Sequence, residues 1–225
     1  MFAPERLVIL DADGTTINAF TAIETAFTVN GMDIGNLERF QKRHQIFKYL
    51  GGIKEFPKNL RKQISKKKRK KLINTLTEVY REEAVLYDGM ADMISRLQKA
   101  PHVRVGIVTR NITHQPRETL RRLFQRNQVD TDRFNFLHHL PLRENKISRF
   151  RKIRSRFKIN PALAFACGDE FKDYTAAIGS GINSLMVSYG FENFTRLSKK
   201  YGLPGEIISH SPEELSMRLL QAVDL

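Results

Sequence analysis

The chain has 225 residues, 41% of them hydrophobic, enough for one large domain or two small ones with a sizeable core. Its one cysteine, Cys167, excludes an internal disulfide and fits a reducing compartment, and no apolar run approaches the ~20 residues of a membrane span. Lys and Arg outnumber Asp and Glu by 38 to 24, a formal charge of +14, which predicts attraction to polyanions: phosphorylated substrates, nucleic acid or an anionic membrane surface.

The first predicted element is a buried strand over Leu7–Leu10, running into Asp11-Ala12-Asp13-Gly14-Thr15-Thr16. The strand delivers two carboxylates to its C-terminal end, and open α/β sheets place ligands at that edge. At strand spacing Asp11 and Asp13 lie about 7 Å apart on one side and repel each other. A hard cation, most simply Mg²⁺, offsets that repulsion. Gly14 permits a tight turn whose amides can face an anion. Those two acids also interrupt the only apolar stretch near the N-terminus, so it does not read as a secretory signal. A soluble, cytoplasmic protein is expected.

From Ile17 to Tyr87 no convincing strand occurs. The segment reads as mostly helical, with breaks at Gly31, Gly35, Gly51-Gly52 and Pro57. Ile64, Leu72, Leu76, Val79 and Tyr80 fit one apolar helix face. This predicts a helical insert over residues 17–87, set as a lid above the carboxylate edge. A core domain then comprises residues 1–16 and 88–225.

Strands and helices alternate in the remainder. Strands are expected at Val103–Val108, Phe134–Leu137, Leu163–Cys167 and Ser184–Val187, and helices at Gly89–Lys99, Glu118–Arg126 and Ile147–Phe157. That alternation predicts an α/β fold with a doubly wound parallel sheet, all strand C-termini on one edge.

Three further features fall at strand ends. Val105-Gly106-Ile107-Val108 runs into Thr109-Arg110-Asn111, a hydroxyl and turn amides suited to a phosphate oxygen. Leu163-Ala164-Phe165-Ala166-Cys167 runs into Gly168-Asp169-Glu170-Phe171-Lys172-Asp173, whose spacing puts Asp169 and Asp173 on one face of a helix begun there. Lys146 stands just before a predicted helix, although Lys152 and Lys158 compete with it.

In the order strand–DxDGT, strand–Thr, Lys, strand–GDxxxD, the chain resembles the haloacid dehalogenase superfamily of phosphohydrolases over essentially its whole length. Asp11 to Thr15 match the first motif, Thr109 the second, Lys146 the third, and Gly168-Asp169 with Asp173 the fourth. The helical insert resembles the cap of the phosphoglycolate-phosphatase-like branch. The resemblance implies a Rossmann-like core and a Mg²⁺-dependent phosphatase acting on a small phosphorylated metabolite. It makes Asp11 the nucleophile and Asp13 the general acid and base. Thr109, Arg110, Asn111 and Lys146 hold the phosphoryl group. Mg²⁺ binds through Asp11, Asp169 and the Asp13 backbone carbonyl, with Asp173 close by. A phosphomutase shares these residues, and a phosphonatase adds a Schiff-base lysine from the cap. A basic polyanion-binding protein that keeps the fold is the reading from another class.

Other features have plainer explanations. Lys66 to Lys71, and Arg149, Arg151, Lys152, Arg154 and Arg156, read as solvated faces. Arg43, Lys48 and Lys54 flank Gly51-Gly52 where a loop could reach substrate. The six His residues lack metal-ligand spacing, and Cys167 reads as a small core residue.

Overall fold

The computed structural model describes residues 2–38, 41, 66–141 and 144–225. Among these, six strands form one sheet: β1 (Arg6–Leu10), β2 (Val103–Thr109), β3 (Phe136–His139), β4 (Ala164–Gly168), β5 (Asn183–Val187) and β6 (Ile208–Ser209). Their order is β3-β2-β1-β4-β5-β6 and every pairing is parallel. The order reverses beside β1, the first strand and the centre of the sheet. Such a switch point opens a crevice at the strand C-termini.

Register fixes what meets there. Leu10 pairs with Ile107 on one side and with Cys167 on the other. Asp11 and Asp13 therefore emerge between Thr109, which ends β2, and Asp169, which follows β4. Alternation along β1 feeds two cores. Val8 and Leu10 join one apolar cluster, and Leu7 and Ile9 join another on the opposite face.

Seven α-helices are named among the described residues: α1 (Ala19–Val29), α2 (Lys66–Glu82), α3 (Met90–Lys99), α4 (Pro116–Arg126), α5 (Ile147–Arg156), α6 (Phe171–Gly179) and α7 (Pro212–Ala222). Leu72, Leu76, Val79 and Tyr80 of α2 are buried on the predicted apolar face. They join Ala22, Ile23 and Ala26 of α1 in the same cluster as β1. Arg43, Lys48, Lys54, Gly51-Gly52, Pro57 and Ile64 lie outside the described residues.

Most element boundaries shift by one or two residues. The third strand starts at Phe136 instead of Phe134, because Asn135 intervenes: its Oδ1 accepts from Val105 N at 2.8 Å and its N–H reaches Val105 O at 2.9 Å. β6 is two residues long, too short to leave a periodic signal in the sequence. No helix among the described residues is long and apolar enough to cross a membrane.

Candidate active site

The chain after β1 winds around one carbonyl. Ala12 O accepts from the amides of Thr15, Thr16 and Ile17 at 3.3, 2.9 and 2.9 Å. Gly14 takes φ 78° in this turn, a left-handed conformation that a side chain would strain. A Cβ there would stand 2.2 Å from Asp169 Oδ2. The turn thus brings the first and last acidic segments into contact, and only a glycine leaves room.

Asp11 is pinned in place. Its N–H donates to Cys167 O at 3.0 Å, and its Oδ1 accepts from Ala12 N at 2.8 Å. Its Oδ2 lies 2.7 Å from Lys146 Nζ, and the same ammonium lies 2.7 Å from Asp173 Oδ1. Lys146 caps the start of α5, and that position sends its side chain back over the strand ends. The competing Lys152 and Lys158 are exposed.

Asp169 is fully buried and meets no cation among the described residues. Its carboxylate accepts from Thr15 Oγ1 at 3.2 Å and from Phe191 N at 2.7 Å. Gly190, before Phe191, packs so tightly that a Cβ would fall 2.5 Å from Asp169 Oδ2. Gln41 Nε2 donates to Gly190 O at 2.6 Å. Asp173 starts α6 in a capping box with Glu170, so one turn serves both helix and site.

Asp13 faces the other way, and its carboxylate accepts three bonds. Asn111 Nδ2 donates to Oδ1 at 3.1 Å and to Oδ2 at 2.9 Å. Tyr80 Oη donates to Oδ1 at 2.8 Å. Thr109 is buried at the end of β2, level with this turn. Arg110 turns to Glu170, 3.5 Å away.

The electrostatics follow from three buried carboxylates and the half-buried Asp13 gathered around one buried ammonium, which pairs directly with Asp11 and Asp173. Burial pushes Asp11 up to about 6, against the pull of Lys146. Burial, with Asp11 beside it, likewise pushes Asp13 up to about 6, against the bonds from Tyr80 and Asn111. Burial and neighbouring acids hold Asp169 well above the carboxylate range. Burial pulls Lys146 down, but Asp11 and Asp173 outweigh it and its pKa rises.

Asp11, Asp169 and Asp173 each offer an oxygen within 4.8 Å of the others. An all-oxygen, excess-negative, buried donor set suits a hard divalent cation such as Mg²⁺. Asp13 contributes no side-chain oxygen to this cluster.

The structure thus draws Asp11, Asp13, Thr109, Lys146, Asp169 and Asp173 to one edge. The Asn111 amide is engaged with Asp13, and Arg110 with Glu170. Sequence reasoning missed Thr15 and Tyr80 as partners of the acids. Thr15 stood inside the motif and was open to being read. Tyr80 gave no sign beyond its place on an apolar helix face. Cys167 is buried, its thiol pushed up to about 12 by desolvation, as an unreactive core residue is.

The sequence profile of the haloacid dehalogenase-like hydrolases matches residues 8–187. No curated protein matches the sequence. Among solved structures, a haloacid dehalogenase-like hydrolase from Streptococcus pneumoniae is 18% identical, with TM-score 0.64 over 96% of this chain and 99% of that one. CbbY from Rhodobacter sphaeroides, solved with phosphate, is 18% identical, with TM-score 0.63 over 98% and 100%. A haloacid dehalogenase-like protein from Agrobacterium tumefaciens is 14% identical, with TM-score 0.68 over 98% and 100%. At these identities the likeness is one of fold.

Proposed function

The chain belongs to the haloacid dehalogenase-like hydrolases, and from that premise we propose that it is a Mg²⁺-dependent phosphatase acting on a small phosphate monoester. One observation carries this reading: Asp11, Asp169 and Asp173 converge within 4.8 Å while Lys146 bridges Asp11 and Asp173. CbbY, a structure of similar fold, holds phosphate.

In this mechanism a carboxylate oxygen of Asp11 attacks phosphorus. The Asp11–phosphorus bond forms as the bond to the leaving oxygen breaks, giving an aspartyl-phosphate. Asp13 gives its proton to the leaving oxygen. It then takes a proton from water, which attacks the same phosphorus and frees Asp11. A pKa near 6 lets Asp13 serve in both directions near neutral pH. Lys146 offsets the repulsion between the Asp11 carboxylate and the phosphate oxygens. Thr109 closes the phosphoryl pocket at the end of β2. Asp11, Asp169 and the Asp13 carbonyl would hold Mg²⁺, with Asp173 beside them, and the ion would supply charge neutralisation at the phosphoryl group.

Residues 17–87 act as the cap domain over a core of residues 1–16 and 88–225, and exclude bulk water. A cytoplasmic location fits the unpaired Cys167. The phosphonatase branch needs a lysine from the cap, but the α2 group at Asp13 is the phenol of Tyr80. A phosphomutase shares the core residues. A screen of phosphorylated metabolites with Mg²⁺ separates the two: a phosphatase releases inorganic phosphate, whereas a mutase returns an isomeric phosphate ester. Release of phosphate from none of them overturns the proposal.

A further inference from the structure

We propose that Tyr80 is a positioning residue for Asp13, supplied to the catalytic edge by the inserted helix α2; this rests on the phosphatase reading above. Tyr80 is 1% exposed, and its hydroxyl donates to Asp13 Oδ1 at 2.8 Å. The one proton of that hydroxyl is therefore committed to the acid.

The end of α2 is tied to the core by polar bonds on both sides of Tyr80. Thr77 Oγ1 accepts from His114 N at 2.9 Å. Arg81 donates to Thr119 Oγ1 and to Gln115 Oε1, both at 3.0 Å. Glu82 pairs with Arg122 at 2.6 Å. Asn111, the second group on Asp13, is fixed in turn: its Oδ1 accepts from Thr113 N at 2.9 Å, and its carbonyl meets His139 Nε2 at 2.9 Å. Asp13 thus stands between two donors, one from α2 and one from the β2–α4 loop, and the bonds of Thr77 and Arg81 to His114 and Gln115 tie those two segments to each other. Proton transfer needs the acid within hydrogen-bond reach of the leaving oxygen, and a displacement near 1 Å can cost on the order of 10²-fold. Two anchored donors give that constraint to a short side chain on a turn.

The test compares an alkyl phosphate with p-nitrophenyl phosphate, whose leaving group needs little protonation. Tyr80→Phe removes one oxygen and keeps the buried ring. It is expected to lower kcat for the alkyl ester by about 10-fold to 10²-fold at unchanged KM, and kcat for the aryl ester far less. Asn111→Ala, on the other side of Asp13, is expected to shift the same ratio in the same direction. Equal losses on both esters would mark Tyr80 as merely structural, and an unchanged ratio in both variants would also overturn the proposal. Wild-type protein that hydrolyses neither ester would overturn the phosphatase reading instead.

A second, independent observation concerns charge. Residues 145–168 contain seven Lys and Arg and no Asp or Glu. The exposed face of α5 presents Arg151, Lys152 and Arg156, which together give like-charge neighbours one turn apart. Arg117 of α4 adds to them, and with Arg149 and Arg156 faces His138 on the edge strand β3, holding it below its usual pKa together with burial. None of these arginines pairs with a carboxylate among the described residues. The Arg156 guanidinium lies over the Phe157 ring, 5.5 Å from its centroid. A solvated helix would ordinarily intersperse acids. Gathering cations without them is repulsive unless an anion answers. Anionic membrane is disfavoured, since none of the large exposed apolar side chains among the described residues belongs to α5 or β3.

We infer that the α5–β3 edge docks the phosphate backbone of a nucleic acid, without sequence preference. A fluorescein-labelled single-stranded oligonucleotide, titrated at rising KCl, is expected to bind with a steep salt dependence. Arg151→Glu/Lys152→Glu/Arg156→Glu should weaken binding and reduce the log–log salt slope by about 2. It should leave p-nitrophenyl phosphate turnover unchanged; if it does not fold, Lys152→Gln/Arg156→Gln gives the milder test. Absence of binding by the wild type, equal binding by the variants, or tighter binding to phosphatidylserine vesicles than to the oligonucleotide would each overturn it.

Discussion

Lys146 Nζ lies 2.7 Å from Asp11 Oδ2, and both side chains are buried. Among the described residues the ammonium is the one buried cation beside the site's four buried or half-buried acids, and Asp173 shares it. Lys146→Met keeps the length and removes the charge. Breaking a buried pair by removing one partner costs about 3–5 kcal/mol. Urea melts in EDTA should show that loss, and saturating Mg²⁺ should recover part of it.

Asp11→Asn should abolish Mg²⁺-dependent hydrolysis of p-nitrophenyl phosphate with the fold retained by circular dichroism. Acid-quenched wild-type enzyme should carry phosphate on Asp11, and the variant none. Retained activity would remove Asp11 as nucleophile. Asp13→Asn should lower turnover of an alkyl phosphate by ~10²–10⁴-fold, the usual worth of a general acid.

The pKa of Asp13 makes a separate prediction about stability. Its folded value is about 6, above the unfolded value near 3.8. The charged form is therefore penalised in the folded state. That penalty is full above pH 6 and vanishes as pH falls toward 4. Without metal, Asp13→Asn should be more stable than wild type at pH 7, with the difference gone by pH 4. Paired thermal melts in EDTA at the two pH values check the sign.

Metal binding should be visible without substrate. Mg²⁺ at a hundred times its dissociation constant adds about 2.7 kcal/mol to the folded state. For a chain of this length that raises the melting temperature by roughly 5–10 °C. Asp169→Asn removes a carboxylate of the buried cluster and should abolish most of the shift.

Gly14→Ala tests the packing that joins the two acidic turns. The backbone at φ 78° costs a side chain roughly 1–2 kcal/mol, and the added Cβ would sit 2.2 Å from Asp169 Oδ2. Both the melting temperature and the Mg²⁺-dependent shift should fall. A variant with normal Mg²⁺ response would mean the Asp169 carboxylate is free to move.

Much of the catalytic edge was legible in order and spacing. Leu7–Leu10 and Leu163–Cys167 are apolar runs that end in acids, and such runs become adjacent parallel strands whose C-termini share an edge. That rule puts Asp11 and Asp169 on one edge, and the pairing of β1 with β4 makes them neighbours. Lys146 needed more, since nothing local separates it from Lys152 or Lys158; helix direction decides it, because Lys146 stands at the α5 N-terminus. Tyr80 was legible only as a core residue.

The sequence by itself determined the alternation of strands and helices, the acids at two strand ends and the charge excess along α5. Those are properties of neighbours in the chain, where side-chain period and local turn chemistry act over a few residues. Only the tertiary structure decided that Asp13 takes its bonds from Tyr80 and Asn111, that Asp173 shares Lys146 with Asp11, and that Gly14 and Gly190 close upon Asp169. These contacts join segments far apart in the chain. They are set by strand register and by which volumes are left to fill, and a linear pattern carries neither.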